Sequence, residues 1–92
     1  MVDVMTILET LANNINYAII YALLVKCKTM TLKEIEEMTA YSEKEILGAL
    51  DYLDSNGLSI NVFDKGRLGE HLYAITAFGE KLEKIFNEMT SW

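Results

Sequence analysis

The chain has 92 residues, 51% of them hydrophobic, with no proline and a formal net charge of −6. That length suits one domain with a modest core and leaves no room for a second, so 1–92 is read as one unit. One cysteine excludes an internal disulfide or a cysteine zinc site, and no apolar run nears the roughly 18 residues that a membrane span requires.

The first segment, Asp3 to Ile15, sets Val4, Ile7, Leu8, Leu11 and Ile15 at three- and four-residue steps, which is one face of an amphipathic helix. Asn13 and Asn14 interrupt it, and Asn14 or Asn16 can cap the next helix. Tyr17 to Lys26 is apolar on all sides. Its alanines and leucines favour helix over buried strand, and such a helix must be covered on more than one face. Cys27 at its end is read as a buried, inert thiol; the alternative is a disulfide across a dimer axis, which a reducing compartment disfavours.

Thr31-Leu32-Lys33-Glu34 is a capping box that opens a short helix through Met38, with Leu32, Ile35 and Met38 inward. Thr39-Ala40-Tyr41 is a tight connection. Ser42-Glu43-Lys44-Glu45 is a second box, opening a helix with Ile46, Leu50 and Leu53 on its inner face. Gly57 suits the left-handed position that ends it. Two capped helices with a three-residue connection make a helix-turn-helix over 31–57.

After Gly57 the period changes. Leu58, Ile60 and Val62 alternate with Ser59 and Asn61, as in a strand. Asp64 to Gly69 is polar and glycine-bearing, as a hairpin tip is. Leu72 to Ile75 is the return strand, so a hairpin covers 58–75. Thr76 caps a final helix over 76–92 with Phe78, Leu82, Ile85, Phe86 and Met89 as its stripe. The expected fold class is mainly α with a small β-hairpin, a winged helix-turn-helix with additional N- and C-terminal helices.

Thr31-Leu32-Lys33-Glu34-Ile35, then Ser42, Ile46, Leu50, Leu53, Gly57, Leu58 and Ile60, together resemble the winged-helix core of the MarR, ArsR and PadR regulators of bacteria and archaea. Tyr73-Ala74-Ile75-Thr76-Ala77-Phe78-Gly79-Glu80-Lys81-Leu82 is similar to the passage from their second wing strand into a C-terminal dimerisation helix. The resemblance covers Thr31 to about Leu82. It implies a homodimeric DNA-binding transcription regulator, and because Met1-Val2-Asp3-Val4 has no basic start before an apolar stretch, the chain is expected in the cytoplasm. The helix from Glu43 would enter the major groove and the wing would touch the backbone.

The local charge departs from that pattern. Thr31 to Gly57 holds seven acids and two lysines, a balance of −5. DNA affinity rests largely on lysine and arginine at phosphates. The candidate DNA-binding residues are Lys44 and Tyr52 in the groove, with Lys26, Lys28, Lys65 and Arg67 on phosphates. Glu43 and Glu45 are read as partners of the helix dipole before base readers. The expected partners are duplex DNA and a second copy of the chain, with no membrane; no residue marks a cofactor, a metal or a small-molecule effector. His71, the only histidine, reads as a wing-strand residue, Trp92 as a packing residue, and the chain as a non-enzyme. The rival reading is a winged-helix protein–protein interaction module that does not bind DNA.

Overall fold

The computed structural model describes residues 3–63 and 71–90. The expected hairpin tip at 64–70, with Lys65 and Arg67, lies outside the described residues, as does Trp92. In chain order the elements are α1 (Val4–Asn13), α2 (Ile15–Cys27), β1 (Thr29–Thr31), α3 (Leu32–Thr39), α4 (Glu43–Ser55), β2 (Ser59–Phe63), β3 (His71–Ile75) and α5 (Ala77–Thr90). The fold is mostly helical with a three-stranded antiparallel sheet in the order β1-β3-β2.

Each boundary has a local cause. Asp3 caps α1 by accepting from the Met5 N–H at 3.2 Å. Asn14 works in both directions. Its side chain donates to Thr10 O at 2.8 Å and its backbone N–H to Leu11 O, closing α1, while its carbonyl accepts from Tyr17 and Ala18 and opens α2. Ile15 therefore starts α2 rather than ending the α1 stripe, and it is 72% exposed. The reciprocal box at α3 is present: the Thr31 hydroxyl accepts from Glu34 N–H and the Glu34 carboxylate from Thr31 N–H. At α4 the box is altered. The Ser42 hydroxyl accepts from Glu45 N–H, but it also donates to the Glu45 carboxylate, taking the place of the Ser42 backbone N–H.

The core is continuous across the helices and the sheet. Ile7, Leu8 and Leu11 of α1 meet Ile20, Tyr21 and Leu24 of α2, then Ile35 of α3 and Ile46, Ala49, Leu50 and Leu53 of α4. Met30, Leu58, Tyr73 and Leu82 complete it. The apolar girth of α2 is explained by this arrangement, since it packs against α1, α4, α5 and the sheet.

Four expectations need correction. A short strand, β1, lies where the sequence shows only an approach to α3, because three residues are too few to display a period; Met30 pairs with Tyr73 across it. Met38 is exposed, since it falls in the last turn of α3 beside the Ala40 reversal, beyond the reach of the core. Cys27 is exposed as well. It continues the periodic face of Ile20 and Leu24, but α2 has by then run past the core, and Lys28 turns the chain at φ 69°. In β2 the apolar members Ile60 and Val62 stay open, whereas Ser59 is buried opposite Ile75.

Two glycines are held in place by the fold. Gly57 ends α4 at φ 76°, the left-handed region where a Cβ is costly. Gly79, in the first turn of α5, lies so close to the Leu58 carbonyl and the Ile75 side chain that a Cβ would collide with both. The Tyr21 hydroxyl donates to the Gly79 carbonyl from the other side. Gly79→Ala must therefore shift backbone, and we expect it to lower stability by about 1–3 kcal/mol. In urea the midpoint should fall with the slope unchanged.

Candidate nucleic-acid interface

The helix-turn-helix leaves one side of α4 without a partner among the described residues. Ile46, Ala49, Leu50 and Leu53 face the core, and the opposite ridge is Lys44, Gly48, Asp51 and Ser55, all exposed. These four recur at three- and four-residue steps, so they share a face. Leu47 stands on one shoulder of that ridge and Tyr52 on the other, because five residues turn a helix by about 140°.

The Leu47 shoulder borders the sheet. Leu47, Gly48, Leu50, Asp51 and Asp54 of α4, with Asn61 of β2 and Tyr73 of β3, line an open concavity of about 500 Å³. Asp54 is fixed there by the Ser59 hydroxyl, which donates to its carboxylate. Burial, and then the Asp54 charge, push the Tyr73 hydroxyl above its usual pKa. Tyr73 is thus a neutral hydroxyl throughout the physiological range.

The Tyr52 shoulder borders α2. Its ring stacks on Tyr17 with centroids 5.3 Å apart and planes 25° from parallel. Its hydroxyl is buried and finds no partner among the described residues. Tyr52 is therefore seated between α4 and α2 and does not project from the open ridge.

The cations are spread out. Lys44 is exposed in the first turn of α4. Lys26 is exposed in the last turn of α2. Lys28 is exposed too, and its amine lies 3.5 Å from the Glu80 carboxylate at the start of α5. That junction adjoins Gly57 and Leu58, at the opposite end of α4 from Lys44. The thirteen residues of α4 put those ends roughly 20 Å apart. Lys65 and Arg67 lie in the undescribed hairpin tip, whose flanking strands β2 and β3 pair from Ser59↔Ile75 to Phe63↔His71.

Sequence reasoning overlooked Asp51 and Ser55 on the open ridge and took Tyr52 for an exposed groove residue. The ridge itself was legible, since Lys44, Gly48, Asp51 and Ser55 repeat with the helical period on the face opposite Ile46 and Leu50; Tyr52 follows Gly48 by four residues, and only its stack on Tyr17 takes it off the open face.

No protein-family model matches the chain, and no curated protein does. Solved structures do match. The reduced form of the transcriptional regulator YodB from B. subtilis superposes with a TM-score of 0.82 at 23% identity, over 100% of this chain and 90% of that one. TubR from Bacillus thuringiensis serovar israelensis, bound to 24 bp of tubC, gives 0.78 at 11% identity and covers 98% of both chains. The fold is that of the winged-helix transcriptional regulators. A point mutant of MarR from E. coli, complexed with operator DNA, gives 0.72 at 14% identity over 79% of this chain. This chain spans about half the length of that MarR, 51%. At these identities the likeness concerns the winged-helix fold, and the residues on α4 must be read on their own chemistry.

Because the Tyr52 hydroxyl is buried without a partner, removing it relieves an uncompensated desolvation. Tyr52→Phe should leave thermal stability unchanged or raise it by up to about 1 kcal/mol, checked by calorimetry, with the Tyr17 stack kept.

Proposed function

We propose that this chain is a DNA-binding transcriptional regulator acting as a homodimer, with α4 in the major groove and the 64–70 wing on the backbone. The observation that carries the reading is the match to DNA-bound TubR over 98% of both chains, which includes the helix-turn-helix and its open ridge. Lys44 is the groove cation, Lys26, Lys28, Lys65 and Arg67 are the phosphate ligands, and Tyr52 braces α4 against α2. Such a role places the chain in the cytoplasm, where the chromosome is.

Apolar surface supports the dimer. Val4 and Met5 of α1, Ile15 and Ile19 of α2, and Phe78 and Ile85 of α5 are all exposed. They lie on elements other than α4, so pairing through them leaves the ridge of each copy free. Light scattering at micromolar concentration should return the mass of two chains; a clean monomer mass would contradict the assignment.

A second reading has its own support. The open ridge carries one lysine and one acid, Asp51, and the whole 31–57 segment is acidic, which suits a protein partner better than a polyanion. The two separate in an anisotropy titration with mixed genomic duplex fragments at low salt, roughly 50 mM, where binding depends on phosphate neutralisation alone. A regulator binds, and the binding fades as salt rises. Arg67→Ala should then reduce the salt slope by about one. Absence of binding at tens of micromolar protein would make the interaction module the better reading.

A further inference from the structure

The three glycines of the described residues differ in what holds them. Gly57 is required by its positive φ, and Gly79 by the Leu58 carbonyl against it. Gly48 has neither reason. It lies in the middle of α4 with an ordinary helical backbone, and a Cβ built there meets nothing within 4 Å among the described residues. Glycine is the least favourable residue in a helix interior apart from proline, because it loses the most backbone freedom on folding. Among the described residues, then, position 48 bears a cost with no return. The return must come from something outside it.

Its position indicates what that is. Gly48 occupies the centre of the outward ridge, one turn from Lys44 on one side and from Asp51 on the other. A helix with its side chains is about 10–12 Å across and the major groove about 12 Å wide, so the ridge residue decides how far the helix can descend. Lys44 is long and reaches from any depth. Asp51 and Leu47 are short and reach only if the backbone comes close. Their chemistry suits base edges: a carboxylate accepts from the cytosine amine, and an apolar side chain packs on the thymine methyl.

We propose that Gly48 is the point of closest approach between α4 and duplex DNA, the residue that sets the depth of the helix and so brings Leu47 and Asp51 to the bases. This rests on the DNA-binding reading above and assigns it a specificity-determining residue. A larger side chain at 48 holds the helix off the groove floor, where phosphate contacts persist and base contacts do not.

The test compares the full-length wild type with Gly48→Ala and Gly48→Leu, using two probes: mixed genomic duplex at low salt, and the duplexes that the wild type enriches from a random pool. Gly48→Ala should raise Tm by about 4 °C, since a good helix former replaces a poor one in open space. Binding to mixed duplex should stay within about twofold of wild type for both variants, because phosphates carry it. Affinity for the enriched duplexes should fall about tenfold or more in Gly48→Leu, the scale of one lost base contact, with Gly48→Ala in between. Retention of wild-type affinity for the enriched duplexes by Gly48→Leu overturns the proposal and leaves the DNA reading intact. So does a lowered Tm in Gly48→Ala, which would mean that the glycine serves the fold. A wild type that binds mixed duplex yet enriches no sequence also overturns it. A wild type that binds neither probe overturns both readings together.

Discussion

The junction of α5 with the end of α4 is the constraint on which the arrangement depends. Thr76 donates through its hydroxyl to Gly57 O at 2.7 Å and its backbone N–H bonds Leu58 O at 3.1 Å. The same hydroxyl accepts from Gly79 N–H at 2.9 Å, capping α5. Tyr21 reaches across from α2 to the Gly79 carbonyl. Four segments thus meet at one point: α2, the exit of α4, β3 and α5. The approach is close enough that only a glycine fits at 79. Desolvation at this point, and after it the nearby Glu83 charge, hold the Tyr21 hydroxyl neutral well above the usual tyrosine range. A neutral phenol is what a donor to a buried carbonyl must be.

Fixing that point fixes α4. Its C-terminal end is tied to α5 through Gly57 and Leu58, its length is clamped on α2 by the Tyr17–Tyr52 stack, and its N-terminus is set by the Ser42 cap. What remains free among the described residues is one ridge. Lys28 belongs to the same junction, because its carbonyl accepts from Ile75 N–H at 3.0 Å and its amine pairs with Glu80. An exposed pair of this kind is weak, so phosphate can compete for the lysine at small cost. The scaffold therefore presents one cation near each end of α4, with the wing strands beside the Leu47 shoulder.

Much of this was legible in the sequence, for identifiable reasons. Both N-caps of the helix-turn-helix carry hydroxyl residues with a glutamate three positions on, a pattern whose hydrogen bonds are local and need no tertiary context. The same holds for Gly57, where the chain must turn left-handed, and for Thr76 at the start of α5. What could not be read depended on distant partners. β1 exists because β3 offers it an edge, and its own three residues carry no period. Cys27 and Met38 sit on the correct helical faces but beyond the end of the core, which periodicity does not measure. Tyr52 lies on a shoulder, and whether a shoulder residue points to solvent or to a neighbour depends on what stands beside it; here Tyr17 does. Ser59 is buried because Asp54 waits for its hydroxyl, a pairing between a helix end and a strand that no alternation pattern encodes.

The acidity of the helix-turn-helix follows partly from the same bonds. Of its seven acids, Glu34 accepts from Thr31 N–H, Glu45 from the Ser42 hydroxyl, and Asp54 from the Ser59 hydroxyl. Two of these carboxylates stand at helix N-termini, where the dipole offsets their charge. Both are solvent-exposed, yet each is hydrogen-bonded to its own cap and so serves the start of its helix. Their charge still opposes a polyanion at long range, and that has a consequence for selectivity. Non-specific affinity for duplex DNA is almost wholly electrostatic, whereas base contacts are short-ranged and indifferent to a distant carboxylate. In the proposed DNA-binding role that charge lowers affinity for arbitrary and for matched duplex alike, so discrimination has to come from base contacts that only a matched sequence makes. The negative balance of the motif then costs overall affinity and leaves the ratio between the two to the open ridge of α4.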